Sequence, residues 1–132
     1  MARYQGSCHC GSVRFECDVD LATGTSRCNC SVCAKGRFWK AIVPPDAFRI
    51  VAGEDALADY QFGNHVIHHR FCRHCGVKPF GQADIPSLGP IVAINVACLD
   101  DVPDAVLAAA PVAFEDGRHG RWEAMPAVTS HL

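Results

Sequence analysis

Cys8-His9-Cys10-Gly11-Ser12-Val13-Arg14-Phe15-Glu16-Cys17-Asp18-Val19 joins two signals in one run. It opens as a thiol pair closed by glycine and continues as an alternation. Val13, Phe15, Cys17 and Val19 fall on one face, and Arg14, Glu16 and Asp18 on the other. Period-two alternation marks a half-buried strand. Glycine after a Cys-x-Cys pair supplies the positive φ that a tight turn around a metal needs. The stretch therefore reads as a zinc-ribbon-like knuckle feeding a strand. Cys17 lies on the inward face and reads as a small buried hydrophobe, not a ligand.

A second knuckle of the same design, Cys72-Arg73-His74-Cys75-Gly76, follows the β-rich run 65–71. Together the pairs supply four thiolates, Cys8, Cys10, Cys72 and Cys75, a complete tetrahedral set for zinc. Such a closed site staples distant strands, and structural zinc contributes roughly 10–16 kcal/mol at neutral pH. Between the pairs stands Cys28-Asn29-Cys30-Ser31-Val32-Cys33, with three thiols in six residues. Three thiolates leave a zinc ion one open position. A site of that kind holds an incoming thiol as thiolate, or polarises a small carbonyl oxygen. The alternative is a second closed site completed by His65, His68 or His69. His68 and His69 are strand neighbours, so at most one of them faces a given site. Spacing leaves both readings open, and either way two zinc ions per chain are expected, one structural and one catalytic or labile.

Composition narrows the partners. The chain has 132 residues, a net charge of -2 and 49% apolar content. These values suit one globular domain, 1–132, with no basic face for nucleic acid. No apolar run reaches about 18 residues, so no membrane-spanning helix is expected. The N-terminus lacks an apolar signal core, so the protein is expected to be cytoplasmic, where thiols stay reduced. Nine cysteines in that setting point to metal rather than disulfides.

The remaining pattern predicts strands over 12–19, 37–43, 48–51, 58–62, 65–71 and 91–98. One helical turn is expected over 31–35, and two turns over 104–110 between Pro103 and Pro111. Val92, Ile94, Val96 and Cys98 share a strand face, which makes Cys98 another core thiol. Many short strands with Gly and Pro punctuation give a mostly β fold with little helix. Lys35, Arg37 and Lys40 follow the triplet, and Arg73 and His74 sit in the second knuckle. They read either as partners for substrate carboxylates or as a solvated basic rim. Phe38 or Trp39 is expected to wall a pocket.

The run 6–15, the triplet 28–33 and Phe71-Cys72-Arg73-His74-Cys75-Gly76 together resemble the glutathione-dependent formaldehyde-activating (GFA) family. Val96-Ala97-Cys98-Leu99-Asp100-Asp101 is similar to that family's later strand. The resemblance implies a β-tent zinc-binding fold. It implies a structural zinc on Cys8, Cys10, Cys72 and Cys75, and a catalytic zinc on Cys28, Cys30 and Cys33. It further implies a carbon–sulfur lyase joining glutathione, or a related small thiol, to formaldehyde or another aldehyde. His9 and His74 are candidate proton carriers by position. A second reading keeps the metal and drops the reaction: a zinc-stapled β module that binds a protein or small-thiol partner without catalysis.

Overall fold

The computed structural model describes residues 1–132. In chain order the elements are β1 Ala2–Ser7, β2 Arg14–Val19, β3 Thr25–Cys28, α1 Ser31–Gly36, β4 Lys40–Val43 and β5 Phe48–Ala52. There follow β6 Leu57–Tyr60, β7 Ile67–Cys72, β8 Phe80–Ile85, β9 Gly89–Asn95, α2 Asp104–Ala109 and β10 Val112–Glu115. The fold is mostly β, as the patterning predicts, and the two helices have six residues each. No helix is long and apolar enough to cross a membrane.

The strands form a small sheet, ordered β1-β2-β5, and a seven-stranded sheet, ordered β10-β3-β4-β9-β8-β7-β6. Neighbours are antiparallel except β10 and β3, which run parallel. The inward residues of β2 meet those of β9 in a cluster of 19 buried side chains. Phe15 on β2 and Phe48 on β5 reach across to Phe80 on β8, with ring centroids 6.4 Å and 4.6 Å from Phe80. Truncating a buried Phe to Ala costs about 3–5 kcal/mol, so this triad is the main weld between the sheets. It also explains Gly6: a Cβ there would stand 2.2 Å from Phe15 Cζ, so β1 crosses the ring as bare backbone.

The alternating face over 12–19 is realised, with Val13, Phe15, Cys17 and Val19 all buried. Several boundaries differ from the sequence expectation, including β2, which starts at Arg14, and β6, which spans Leu57–Tyr60, and three of the differences have a local cause. The strand expected from residue 37 starts at Lys40, because Arg37 at φ 52° caps α1 and Phe38 N–H bonds to Cys33 O. The strand expected over 91–98 stops at Asn95, whose side chain accepts the Ala97 N–H at 3.1 Å and starts a tight turn over Val96–Cys98. Cys98 still turns inward. The strand expected from residue 65 begins at Ile67, since His65 takes a left-handed φ of 59°.

Candidate metal centre and thiol cavity

The turn between β1 and β2 carries Cys8 and Cys10, Cys72 ends β7, and the turn after it carries Cys75. The fold brings them together, with the four sulfurs within 4.8 Å of one another. Cys10 Sγ stands 3.7 Å from both Cys8 Sγ and Cys72 Sγ. A tetrahedron with zinc–sulfur bonds of about 2.3 Å has edges near 3.8 Å, so these two spacings, in a cluster that spans no more than 4.8 Å, suit a tetrathiolate ion. Backbone N–H groups already face the sulfurs, from Val13 to Cys8 at 3.3 Å and from His74 to Cys72 at 3.4 Å. Such donors disperse thiolate charge. The donor set fits a zinc ion tying the small sheet to the far half of the large one. Burial pushes the metal-free Cys8 thiol up to about 11, so filling this site must release its proton.

The triplet lies elsewhere. Cys28 ends β3, Cys30 caps α1, and Cys33 sits within that helix. Cys28 and Cys33 hydrogen-bond to Cys30 and hold its pKa far below the usual thiol value, while the same contacts push Cys33 up. Cys30 N–H points at Cys28 Sγ, 3.4 Å away. The loop is clamped by the chain after β10. Buried Asn29 donates to Asp116 Oδ1 at 2.8 Å and accepts the Arg118 N–H at 2.9 Å. The Asn29 donor, then His119, keeps the Asp116 carboxyl below its ordinary range. Gly117 packs so closely on Cys28 that a Cβ would fall 2.5 Å from its sulfur.

All three triplet thiols line a cavity of about 290 Å³. Phe38 and Lys40 border it, as do Lys78 and His69, which sequence reasoning passed over in that role. Lys78 Nζ donates to His69 Nδ1 at 2.6 Å and rides 4.0 Å over the Phe38 ring. Burial lowers the Lys78 pKa, against the opposing pull of Cys33 and Cys30. Burial, then the Lys78 charge, brings His69 down to about 4. A lysine two residues past the second knuckle has no local motif to flag it; only the sheet order β3-β4-β9-β8 brings the start of β8 near the triplet.

Of the histidines weighed as a fourth ligand, His68 is held by Asp59 at 2.7 Å, His69 is held by Lys78, and His65 lies on an exposed turn. Among the expected cations only Lys40 borders the cavity, and it is paired with Glu115. Arg37 donates to His131 O at 3.0 Å, Lys35 is exposed, and Arg73, His74 and His9 are exposed residues of the two knuckles. Cys17 and Cys98 stand apart as core thiols, both pushed up to about 12 by burial.

A family model described as glutathione-dependent formaldehyde-activating enzyme matches residues 3–115. The chain belongs to this GFA family. A Rhodobacter sphaeroides protein solved as a Northeast Structural Genomics target is 32% identical to it. The two superpose with a TM-score of 0.70 over 83% of this chain and 99% of that one. The GFA match covers both knuckles and the triplet, whereas Asp116, Gly117 and Trp122, which close over Cys28, lie beyond it.

Proposed function

We propose that this chain is a zinc-dependent carbon–sulfur lyase that joins a small thiol, glutathione by family membership, to an aldehyde. The observation that carries this reading is the placement of three free thiols and a half-buried lysine on the wall of one cavity. Cys8, Cys10, Cys72 and Cys75 would hold a structural zinc within a single domain. Cys28, Cys30 and Cys33 would hold a second zinc, which supplies a soft open position where a substrate sulfur is kept as thiolate. His65 and His68 lie elsewhere, which supports an open site, while His69 borders the cavity with its Nδ1 held by Lys78 and its Nε2 without a partner. A reducing compartment such as the cytoplasm keeps these thiols available.

In the synthetic direction the sulfur lone pair forms the carbon–sulfur bond. The carbonyl π pair moves onto oxygen, which takes a proton. Lys78 is the donor placed to give it: its ammonium has three N–H groups and spends one on His69 Nδ1. The proton lost by the thiol restores the lysine. Burial and the His69 contact fix Nζ at one point of the wall, so the donor is oriented before substrate arrives. Phe38 beneath Nζ and the apolar walls exclude water from the developing alkoxide. In the reverse direction Lys78 accepts the hydroxyl proton as the carbon–sulfur bond breaks.

Metal analysis of the reduced protein, with a glutathione titration followed by NMR, tests the reading. Two zinc ions per chain and shifts centred on residues 28–40 are expected. One zinc, with no shift on adding glutathione, would overturn it.

A further inference from the structure

The cavity is too large and too apolar for the substrates in the family's name. Formaldehyde has two heavy atoms, whereas a dry cavity of about 150 Å³ holds a benzene ring. The cavity beside the triplet measures about 290 Å³. Its walls come from four separate parts of the chain: Ile42 on β4, Phe62 and Ile67 around the start of β7, Ile91 on β9, and Trp122 after β10. Ile42, Phe62, Ile67 and Trp122 are also 46%, 41%, 41% and 55% exposed. Large apolar side chains left open around one mouth mark a place meant to be filled.

Most polar groups of the wall are already engaged, which leaves two Lys78 N–H groups and the buried His69 Nε2 without partners. Lys40 pairs with Glu115, Lys78 with His69, and Gln82 Oε1 accepts from Arg70 at 3.0 Å. The other cations expected near the triplet are not on this wall. A tripeptide carrying two carboxylates and an ammonium would lose its hydration here with only Lys78 and His69 to replace it. A neutral molecule with an apolar body would lose nothing, and its one carbonyl oxygen would find a Lys78 N–H.

We infer that the cavity binds the carbonyl substrate, and that this substrate is an alkyl or aryl aldehyde of about six to ten carbons, not formaldehyde. The inference rests on the thiol-adduct reading above and sharpens it. The aldehyde carbon lies toward the triplet and the hydrocarbon body fills the space between Ile42, Ile67, Ile91 and Trp122. The thiol approaches from the metal side, so the charged arms of glutathione stay outside. The product is a hemithioacetal: one carbon–sulfur bond forms, the π pair goes to oxygen, and the thiol proton replaces the one Lys78 gives.

The test uses zinc-loaded protein and two readouts. First, methanol, 1-butanol, 1-hexanol and 1-octanol, as unreactive analogues, are titrated against tryptophan fluorescence and amide NMR shifts. Affinity is expected to rise about fourfold per added methylene until the cavity is full, then level off. Second, exchange NMR compares hexanal with formaldehyde, each with glutathione; kcat/KM is expected to be at least about tenfold higher for hexanal. Ala93→Phe, which places a ring in the cavity, should weaken hexanol binding by about tenfold or more while zinc content holds, and Ala83→Phe replaces it if that variant does not fold. Formaldehyde turnover with affinity independent of chain length would overturn the inference and leave the proposed reaction standing. Chain-length-dependent binding with no turnover of either aldehyde would overturn the reaction and, with it, the aldehyde assignment.

Discussion

Gly117→Ala tests whether the chain after β10 holds the triplet in place. The added Cβ would stand 2.5 Å from Cys28 Sγ and 2.7 Å from Trp122 Cη2. Non-bonded heavy atoms pack at roughly 3.5–4 Å, so something must retreat by about 1 Å. Trp122 is half-exposed and swings aside easily, but Cys28 is 2% exposed and has nowhere to go. The backbone of 116–118 must therefore lift, stretching the Asn29–Asp116 bond of 2.8 Å and the Arg118–Asn29 bond of 2.9 Å. Two such bonds at about 1 kcal/mol each, with overpacking at the low end of 1–3 kcal/mol, give about 3 kcal/mol. Gly117 has no left-handed φ, so none of this cost is backbone strain. For a chain of this size the melting temperature should fall by about 10–15 °C. Calorimetry and zinc content are read together: the tetrathiolate ion should remain while the triplet binds metal more weakly. A variant melting within about 2 °C of wild type with unchanged metal would refute the idea that this segment presses on Cys28.

Cys72→Ser should lose cooperative unfolding or solubility, whereas Cys30→Ser should stay folded, keep one zinc and lose glutathione binding; equal damage from both would show the triplet to be structural. Cys17→Val and Cys98→Ala should leave zinc content unchanged, since both thiols lie in the core, and the loss of a metal ion on either change would mean the ligand sets are wrong. His69 binds its proton near pH 4 when folded and near 6.5 when unfolded, so the unfolded chain holds the extra proton between those values. Stability should thus fall as pH drops from about 6.5 to 4, by about 2–3 kcal/mol from this group, and His69→Gln should flatten that part of the denaturation profile relative to wild type. Parallel slopes would show that His69 does not titrate this way.

What the sequence revealed depended on whether a residue's role was local. The two knuckles and the β2 alternation are signals within a few residues: the four knuckle thiols gather and the alternating face is buried, and the three triplet thiols line one cavity. The β1, β3, β8 and β10 strands gave no such signal. β1 is largely polar and exposed, β8 interrupts its apolar residues with Gly81, Gln82 and Asp84, and β3 and β10 have only four residues each. They are strands because a neighbour pairs with them, and pairing is non-local. Candidate-site residues divide in the same way. Cysteine spacing named the thiols, but Lys78, Asn29 and Gly117 matter through contacts made across the fold. Of the two readings of the flanking cations, the solvated rim fits Lys35 and Arg37 better, because helix α1 and its left-handed cap leave both exposed and off the space that Lys40 borders.

The parallel pairing of β10 with β3 has a consequence for how the protein is made. The tetrathiolate set is complete once residue 75 has been synthesised, and its two halves lie 62 residues apart between Cys10 and Cys72. The triplet's own thiols emerge far earlier, but its clamp does not: Asn29 meets Asp116 across 87 residues and Arg118 across 89. Chains begin to organise from the N-terminus during synthesis, and long-range contacts bear the larger closure entropy. If the triplet holds the second zinc proposed above, the two sites would acquire metal in a fixed sequence on the ribosome, with the tetrathiolate set first. During that interval the triplet is a cluster of thiols at the end of a β-strand without its parallel partner and in the helix that follows, open to oxidation and to the wrong metal, until residues 116–118 clamp it.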